Sequence, residues 1–253
     1  MKLVTNRANQ AIFFALFLLK KFGIKTIYVP DQGGWISYKV FPKFLDLKVK
    51  TLKTNKGVPE EEDLKEIKNS ALILCSSPGY LRDLSKKMWQ IKDLLNENKS
   101  FLINDNSSGF SFDGDIVVMS FGKWKPMNLG IGGLLEIKNE ELSEFAKKEE
   151  LDKFFKFQVK LDEEIKKLAE EKLKNINDLV NKGIEFANKY KKEFKDYLIK
   201  EIEKEKSLNV PLVYNEELIN ELKEKSLPFR LMPNYIRLKI KGISLETKRI
   251  FYK

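Results

Sequence analysis

The stretch from Ile103 to Leu135 reads INDNSSGFSFDGDIVVMSFGKWKPMNLGIGGLL, and its punctuation decides the fold. Asp105 closes the apolar run that starts at Phe101, Ser120 closes Ile116–Met119, and Lys125 follows in a loop five residues later. Short apolar runs that end in polar or glycine-rich turns read as buried strands of a parallel sheet. An acid, a hydroxyl and an amine are thereby predicted at neighbouring strand ends. In open α/β sheets, ligands bind outside those carboxyl ends.

Working outward, helical and strand periods alternate through the first half of the chain, as crossover connections between parallel strands require. The patterns predict helices at about 7–22, 35–45, 60–68 and 80–97. Strands are predicted at about 25–30, 48–53, 71–76, 100–104, 115–120 and 132–137. Gly23 marks the end of the first helix, Gly33-Gly34 precedes the second, and Pro59 with three glutamates opens the third. Beyond residue 138 the composition turns to Lys/Glu-rich helices, expected at about 139–147, 150–174 and 176–206, each with one apolar face. A break near Asn209-Val210-Pro211 leads to a helix at 214–225, a strand from Tyr235 to Ile240 and a last helix from Ser244. We therefore expect a three-layer, mostly parallel α/β domain over 1–138 and a smaller, helical α+β domain over 139–253.

Composition narrows the chemistry. The chain has 253 residues, no histidine and a single cysteine, Cys75, inside an apolar run. That excludes imidazole-based nucleophile pairs, an intramolecular disulfide and a cysteine metal cluster, so no metal site is expected. It leaves lysine, carboxylate and tyrosine chemistry in a reducing, cytoplasmic compartment. The net charge of +10 arises from 47 basic residues intermixed with 37 acidic ones. Such mixing is the surface style of a heat-adapted protein, without the basic stripe and interleaved aromatics of a nucleic-acid binder. Ala11–Leu19 is apolar but too short to span a bilayer, so it is expected to be a buried helix, with no membrane partner.

Amine, carboxylate and phosphate donors together are what a pyridoxal phosphate (PLP) site needs: a Schiff-base lysine, an acid to hold the pyridinium proton, and groups for the phosphate. The run Gly114-Asp115-Ile116, then Ser120-Phe121-Gly122-Lys123-Trp124-Lys125, then Gly130-Ile131-Gly132-Gly133 resembles the signature of fold-type-I PLP enzymes. The likeness is strongest to the DegT/StrS aminotransferases. The resemblance implies that Lys125 carries the cofactor, with Lys123 as its competitor, that Asp105 faces the pyridine nitrogen, and that Ser120 contacts the phosphate. It further implies that Ala8 and Asn9, opening the first helix, receive the phosphate, and that Trp35 stacks on the ring. The loop Cys75-Ser76-Ser77-Pro78-Gly79-Tyr80 has serine where many aminotransferases carry asparagine, leaving Tyr80 or Ser107 to meet the cofactor's phenolic oxygen. Arg237, and Tyr80 beside it, are implied to hold the substrate, the arginine by its carboxylate. A homodimeric aminotransferase, or a closely related PLP-dependent lyase, acting on an amino acid or amino sugar is the expected enzyme. The short second domain and the altered loops support a second expectation, a degenerate homologue serving as a non-catalytic binding or regulatory subunit.

Overall fold

A computed structural model describes residues 1–253. Seven strands form the main sheet: β1 (Lys2–Thr5), β2 (Thr26–Pro30), β3 (Lys48–Leu52), β4 (Ala71–Cys75), β5 (Phe101–Asp105), β6 (Ile116–Ser120) and β7 (Gly133–Ile137). They lie in the order β1-β7-β6-β5-β4-β2-β3, and β7 alone runs antiparallel to its neighbours. All six strands predicted from sequence for this sheet form, within a residue or two of the expected ends. β1 was not foreseen. It is only four residues long, and its partner in β7 lies about 130 positions away in the chain.

Alternate strand residues face two cores. Ile27, Val29, Ala71, Ile73, Ile103, Ile116, Val118 and Leu135 pack on one side against α1 (Ala8–Lys21), with α5 (Glu140–Lys148) and α6 (Leu151–Phe157) completing that layer. On the other side, Leu72, Leu74 and Leu102 meet α3 (Glu61–Lys65) and α4 (Ser85–Glu97), while Met119 and Leu134 meet α7 (Glu163–Lys174) and α8 (Ile176–Glu193). This is the three-layer α/β architecture expected. Helix α1 is apolar almost all round because it is covered on several sides, and Lys20 and Lys21 close it where the helix dipole favours cations.

The second half departs from the sequence reading in three places. The helix expected over 150–174 is two helices, because residues 158–162 leave the helical path to meet the chain's beginning. Asn6 accepts from the Lys160 N–H at 2.8 Å, while Asn6 and Gln10 donate to the Gln158 carbonyl at 3.2 and 3.1 Å. The helix expected to reach residue 206 stops at Glu193, and the following turn folds back so that the buried Lys191 can donate to the Glu203 and Glu205 carbonyls. The strand expected at Tyr235–Ile240 is a turn. Its amides are taken by Asn234, which accepts from Ile236 and Arg237, and by Gln32, which accepts from Lys239 at 2.6 Å. The strands form instead at β8 (Val210–Leu212), β9 (Phe229–Met232) and β10 (Gly242–Leu245), paired in the order β8-β10-β9, with Ser244 in β10 and not at a helix start. Helices α9 (Glu216–Glu224) and α10 (Thr247–Phe251) complete this part. The division into 1–138 and 139–253 stays a proposal, in which α5 and α6 pack back onto the first core through Leu142, Ala146, Leu151 and Phe155.

Candidate active site

The carboxyl ends of β2, β4, β5 and β6 and the amino end of α1 surround one cavity of about 300 Å³. That volume lies at the lower end of the range for small-molecule sites. Lys125, Asp105, Ser120, Ala8, Asn9, Trp35, Ser107 and Tyr80 all line it. Eight of the nine residues singled out from sequence are therefore brought together. Arg237 is the exception.

Asp105 is almost fully buried at the last position of β5. The Tyr38 hydroxyl donates to its Oδ2 at 2.5 Å, and the Ser107 N–H donates to its Oδ1 at 3.0 Å. Burial pushes the carboxyl above the ordinary range, and the bonds from Ser107 and Tyr38 only partly oppose that. No cation acts on it. An acid kept out of water without a counter-charge is harder to ionise than one in solvent. Tyr38, itself fully buried on α2 (Ser37–Phe44), was missed by sequence reading.

The loop after β6 places the amine. Phe121 is buried, its N–H donates to the Gly132 carbonyl at 3.1 Å, and its own carbonyl accepts from the Leu129 N–H at 2.8 Å. Buried Met127 pins the loop's middle, and Lys172 from α7 donates to the Met127 carbonyl at 2.9 Å. Between these anchors Lys125 turns inward, its ammonium 4.2 Å from the centre of the Tyr80 ring. The side chain is partly accessible through the cavity, but its charged end is surrounded by protein. Burial, then the nearby Lys248, pulls its pKa down to about 7. Lys123 is exposed and lies outside the cavity wall, so of the two candidates only Lys125 lines the cavity. Tyr80 holds a φ of +63°, uncommon for a bulky residue, and its carbonyl accepts from the Leu208 and Asn209 N–H groups at 3.1 Å each.

The opposite wall is the start of α1. Neither an acidic residue nor a side-chain cap occupies this terminus, so its first amides and the positive end of its dipole face the cavity. Gly133 makes the close approach possible, since a Cβ there would stand 2.6 Å from the Ala8 nitrogen. Arg7, not foreseen, lines the cavity next to Ala8. Ser120 sits beside this terminus, its N–H donating to the Ser107 hydroxyl at 3.0 Å and its hydroxyl accepting from the Gly122 N–H at 3.2 Å. Trp35 is 41% exposed and forms part of the wall. Cys75 also lines the cavity, and burial followed by the charge of Asp105 pushes its thiol up to about 12, leaving it inert.

Arg237 is placed apart from the other eight. It lies in the turn that replaces the expected strand and outside the cavity wall. Its Nε and one terminal nitrogen donate to both oxygens of Glu246 at 2.9–3.1 Å, and the other terminal nitrogen donates to the Ile236 carbonyl at 3.2 Å. The guanidinium is thus engaged by the chain's own groups.

No family model matches the sequence, and no curated protein matches it significantly. Solved structures do match. Helicobacter pylori PseC, an aminotransferase of pseudoaminic acid biosynthesis, superposes with a TM-score of 0.74 at 16% identity over 99% of this chain and 84% of its own. A Brucella abortus DegT/DnrJ/EryC1/StrS aminotransferase gives 0.69 at 14% identity, covering 99% and 84%. A Burkholderia pseudomallei sphingosine-1-phosphate lyase gives 0.72 at 8% identity, covering 99% and 68%. The chain therefore has the fold of these enzymes, in agreement with the resemblance seen in the sequence.

The state of Asp105 is open to measurement. A carboxyl whose native pKa is raised stabilises the fold while protonated, and that contribution is lost as pH climbs from the ordinary carboxylate range through the raised native value. Asp105→Asn escapes the loss. In urea unfolding of cofactor-free protein between about pH 4 and 8, its midpoint should gain on wild type as pH rises. Tyr38→Phe, deprived of the phenol donor, should fall more steeply than wild type. Parallel curves for all three would show that Asp105 ionises as an ordinary acid.

Proposed function

We propose that the chain is a PLP-dependent aminotransferase acting on a small amino compound, with Lys125 as the residue that takes the cofactor's aldehyde. One observation carries the reading: a single cavity joins an amine drawn toward neutrality, a buried carboxyl without a counter-ion, and a helix terminus with no anion of its own. These residues fit PLP group by group. When bound, PLP supplies an electron sink for a negative charge developing at the substrate carbon that bears the amine.

The chain's own groups do the rest. Asp105, steadied by Tyr38 and Ser107, holds the proton on the pyridine nitrogen. Ala8, Asn9 and Ser120 bind the phosphate, with Arg7 adding charge beside them. Trp35 would cover one face of the ring and keep water from it, and Tyr80 or Ser107 would meet the phenolic oxygen. With a pKa near neutrality, the Lys125 amine is suited to take a proton from the substrate Cα and return it, since the best acid–base groups titrate near the working pH. An amino acid or an amino sugar is the proposed substrate. We place the enzyme in a reducing, cytoplasmic setting, on the grounds of its lone buried Cys75.

A homodimer is part of the proposal. From Asn9 at the cavity wall, an apolar surface runs along α1 through Phe13 and Phe17. It takes in Phe41 and Phe154, with Phe44 77% and Phe157 79% exposed nearby. Aromatic surface this continuous, beginning at the site, is suited to a second copy of the chain. Light scattering should return twice the 29.6 kDa chain mass, and a monomer at micromolar concentration would refute the dimer.

The activity itself has a direct test. Protein given PLP should develop an absorption band at the edge of the visible, which Lys125→Ala should abolish together with turnover, lowering the latter by at least about 10²-fold. A band that survives in Lys125→Ala and disappears in Lys123→Ala would overturn the assignment.

A further inference from the structure

Four charged side chains from the C-terminal segment are packed behind the amine. Glu246 is wholly buried and saturated with donors. Its Oε1 accepts from Arg237, Asn209 and Ser244, and its Oε2 accepts from Arg237, from Lys248 at 3.0 Å and from Arg249 at 3.2 Å. Arg237 alone, gripping both oxygens, would neutralise this carboxylate. Lys248 and Arg249 therefore leave positive charge in excess, and Lys248 is only 5% exposed. A lysine buried where its partner is already satisfied is costly, so a purely stabilising role explains it poorly.

The position of that excess charge is informative. The Lys248 ammonium lies 4.6 Å from the centre of the Tyr80 ring, and the Lys125 ammonium lies 4.2 Å from the centre of the same ring. Lys125 makes no ion pair of its own. Around it stand Lys248, Arg237 and Glu246 from the C-terminal segment, Cys75 from β4, and the Tyr80 ring. Arg249 meanwhile stacks 4.5 Å over Trp124, the residue before Lys125, so α10 holds the amine's loop as well as its electrostatic surroundings.

We propose that Lys248, held by Glu246 against the Tyr80 ring, is a positioning residue whose charge keeps the Lys125 amine in its free, nucleophilic form. A neighbouring cation is one of the few ways a protein makes a lysine reactive at neutral pH. Burial alone also lowers the Lys125 pKa, and Lys248 is the next cause in size. The C-terminal segment thus serves the site by tuning its amine, in place of offering an arginine to the substrate.

The inference rests on Lys125 being the reactive amine of the proposed function, and its test reads that amine without PLP, so each can fail separately. Full-length, cofactor-free protein is treated with trace acetic anhydride across a pH series, and the acetylation rate at Lys125 is followed by mass spectrometry. Wild type should show a midpoint near neutrality. Lys248→Met should move the midpoint up by on the order of one pH unit, which means about tenfold slower acetylation at neutral pH. Lys248→Arg should restore it. A structural role would lower the melting temperature of Lys248→Met and leave the midpoint in place, and that result overturns the proposal. If Lys248→Met does not fold, the wild-type midpoint decides: a value in the ordinary lysine range contradicts the proposal.

Discussion

A carboxyl held away from water with no cation beside it is the constraint around which this molecule is arranged. Asp105 occupies the end of a strand buried on both faces, where the Tyr38 phenol and Ser107 meet its oxygens. Burying an ionisable acid in this way is expensive, and the expense makes sense where a protonated ring nitrogen is to complete the arrangement. The parallel sheet brings the acid to the same edge as Ser120 and the base of the Lys125 loop. The Gly132-Gly133 corner then lets α1 press its bare amino end against that edge. Amine, acid and anion-seeking helix end thus share one cavity because of strand order and not because of any local sequence motif.

The C-terminal part contributes differently from what its sequence suggests. Its arginine is spent on an internal carboxylate, and its turn at Asn234–Lys239 is docked on the Asp31–Gly34 loop through Gln32, Lys239 and the Tyr235 carbonyl, which accepts from Gly33 at 2.7 Å. This half reaches the site in two ways: Ile236 lines the cavity, and the charge cluster around Glu246 lies behind Tyr80 and Lys125. On the cavity wall itself, Arg7 is the unforeseen cation.

The sheet and most of the site were legible in the sequence because the central strands β4, β5 and β6 are short apolar runs, the last two ending on residues with evident chemistry. Asp105, Ser120 and Lys125 could be placed by that punctuation alone. Tyr38 could not, since it meets Asp105 across 67 positions of chain and reads locally as one more aromatic on an amphipathic helix. The segment Tyr235–Ile240 was misread as a strand for a related reason. Alternating apolar and charged residues from Tyr235 to Ile240 mimic a strand, but distant Gln32 and neighbouring Asn234 take the backbone amides that a sheet would have used. The break in the Lys/Glu helices at 158–162 is likewise imposed by Asn6 and Gln10 at the other end of the chain. Periodicity reports which face of an element is buried, whereas side chains from remote segments decide where the element ends.

The central claim, that residue 125 supplies the amine that meets an aldehyde cofactor above Asp105, is tested most directly by fixing that bond chemically. Wild-type protein incubated with PLP, reduced with borohydride, digested and sequenced by mass spectrometry should carry the pyridoxyl mass on Lys125, with Asp105→Ala markedly reducing the labelled fraction. Label on Lys123, or scattered over surface lysines with no dependence on Asp105, would contradict the account.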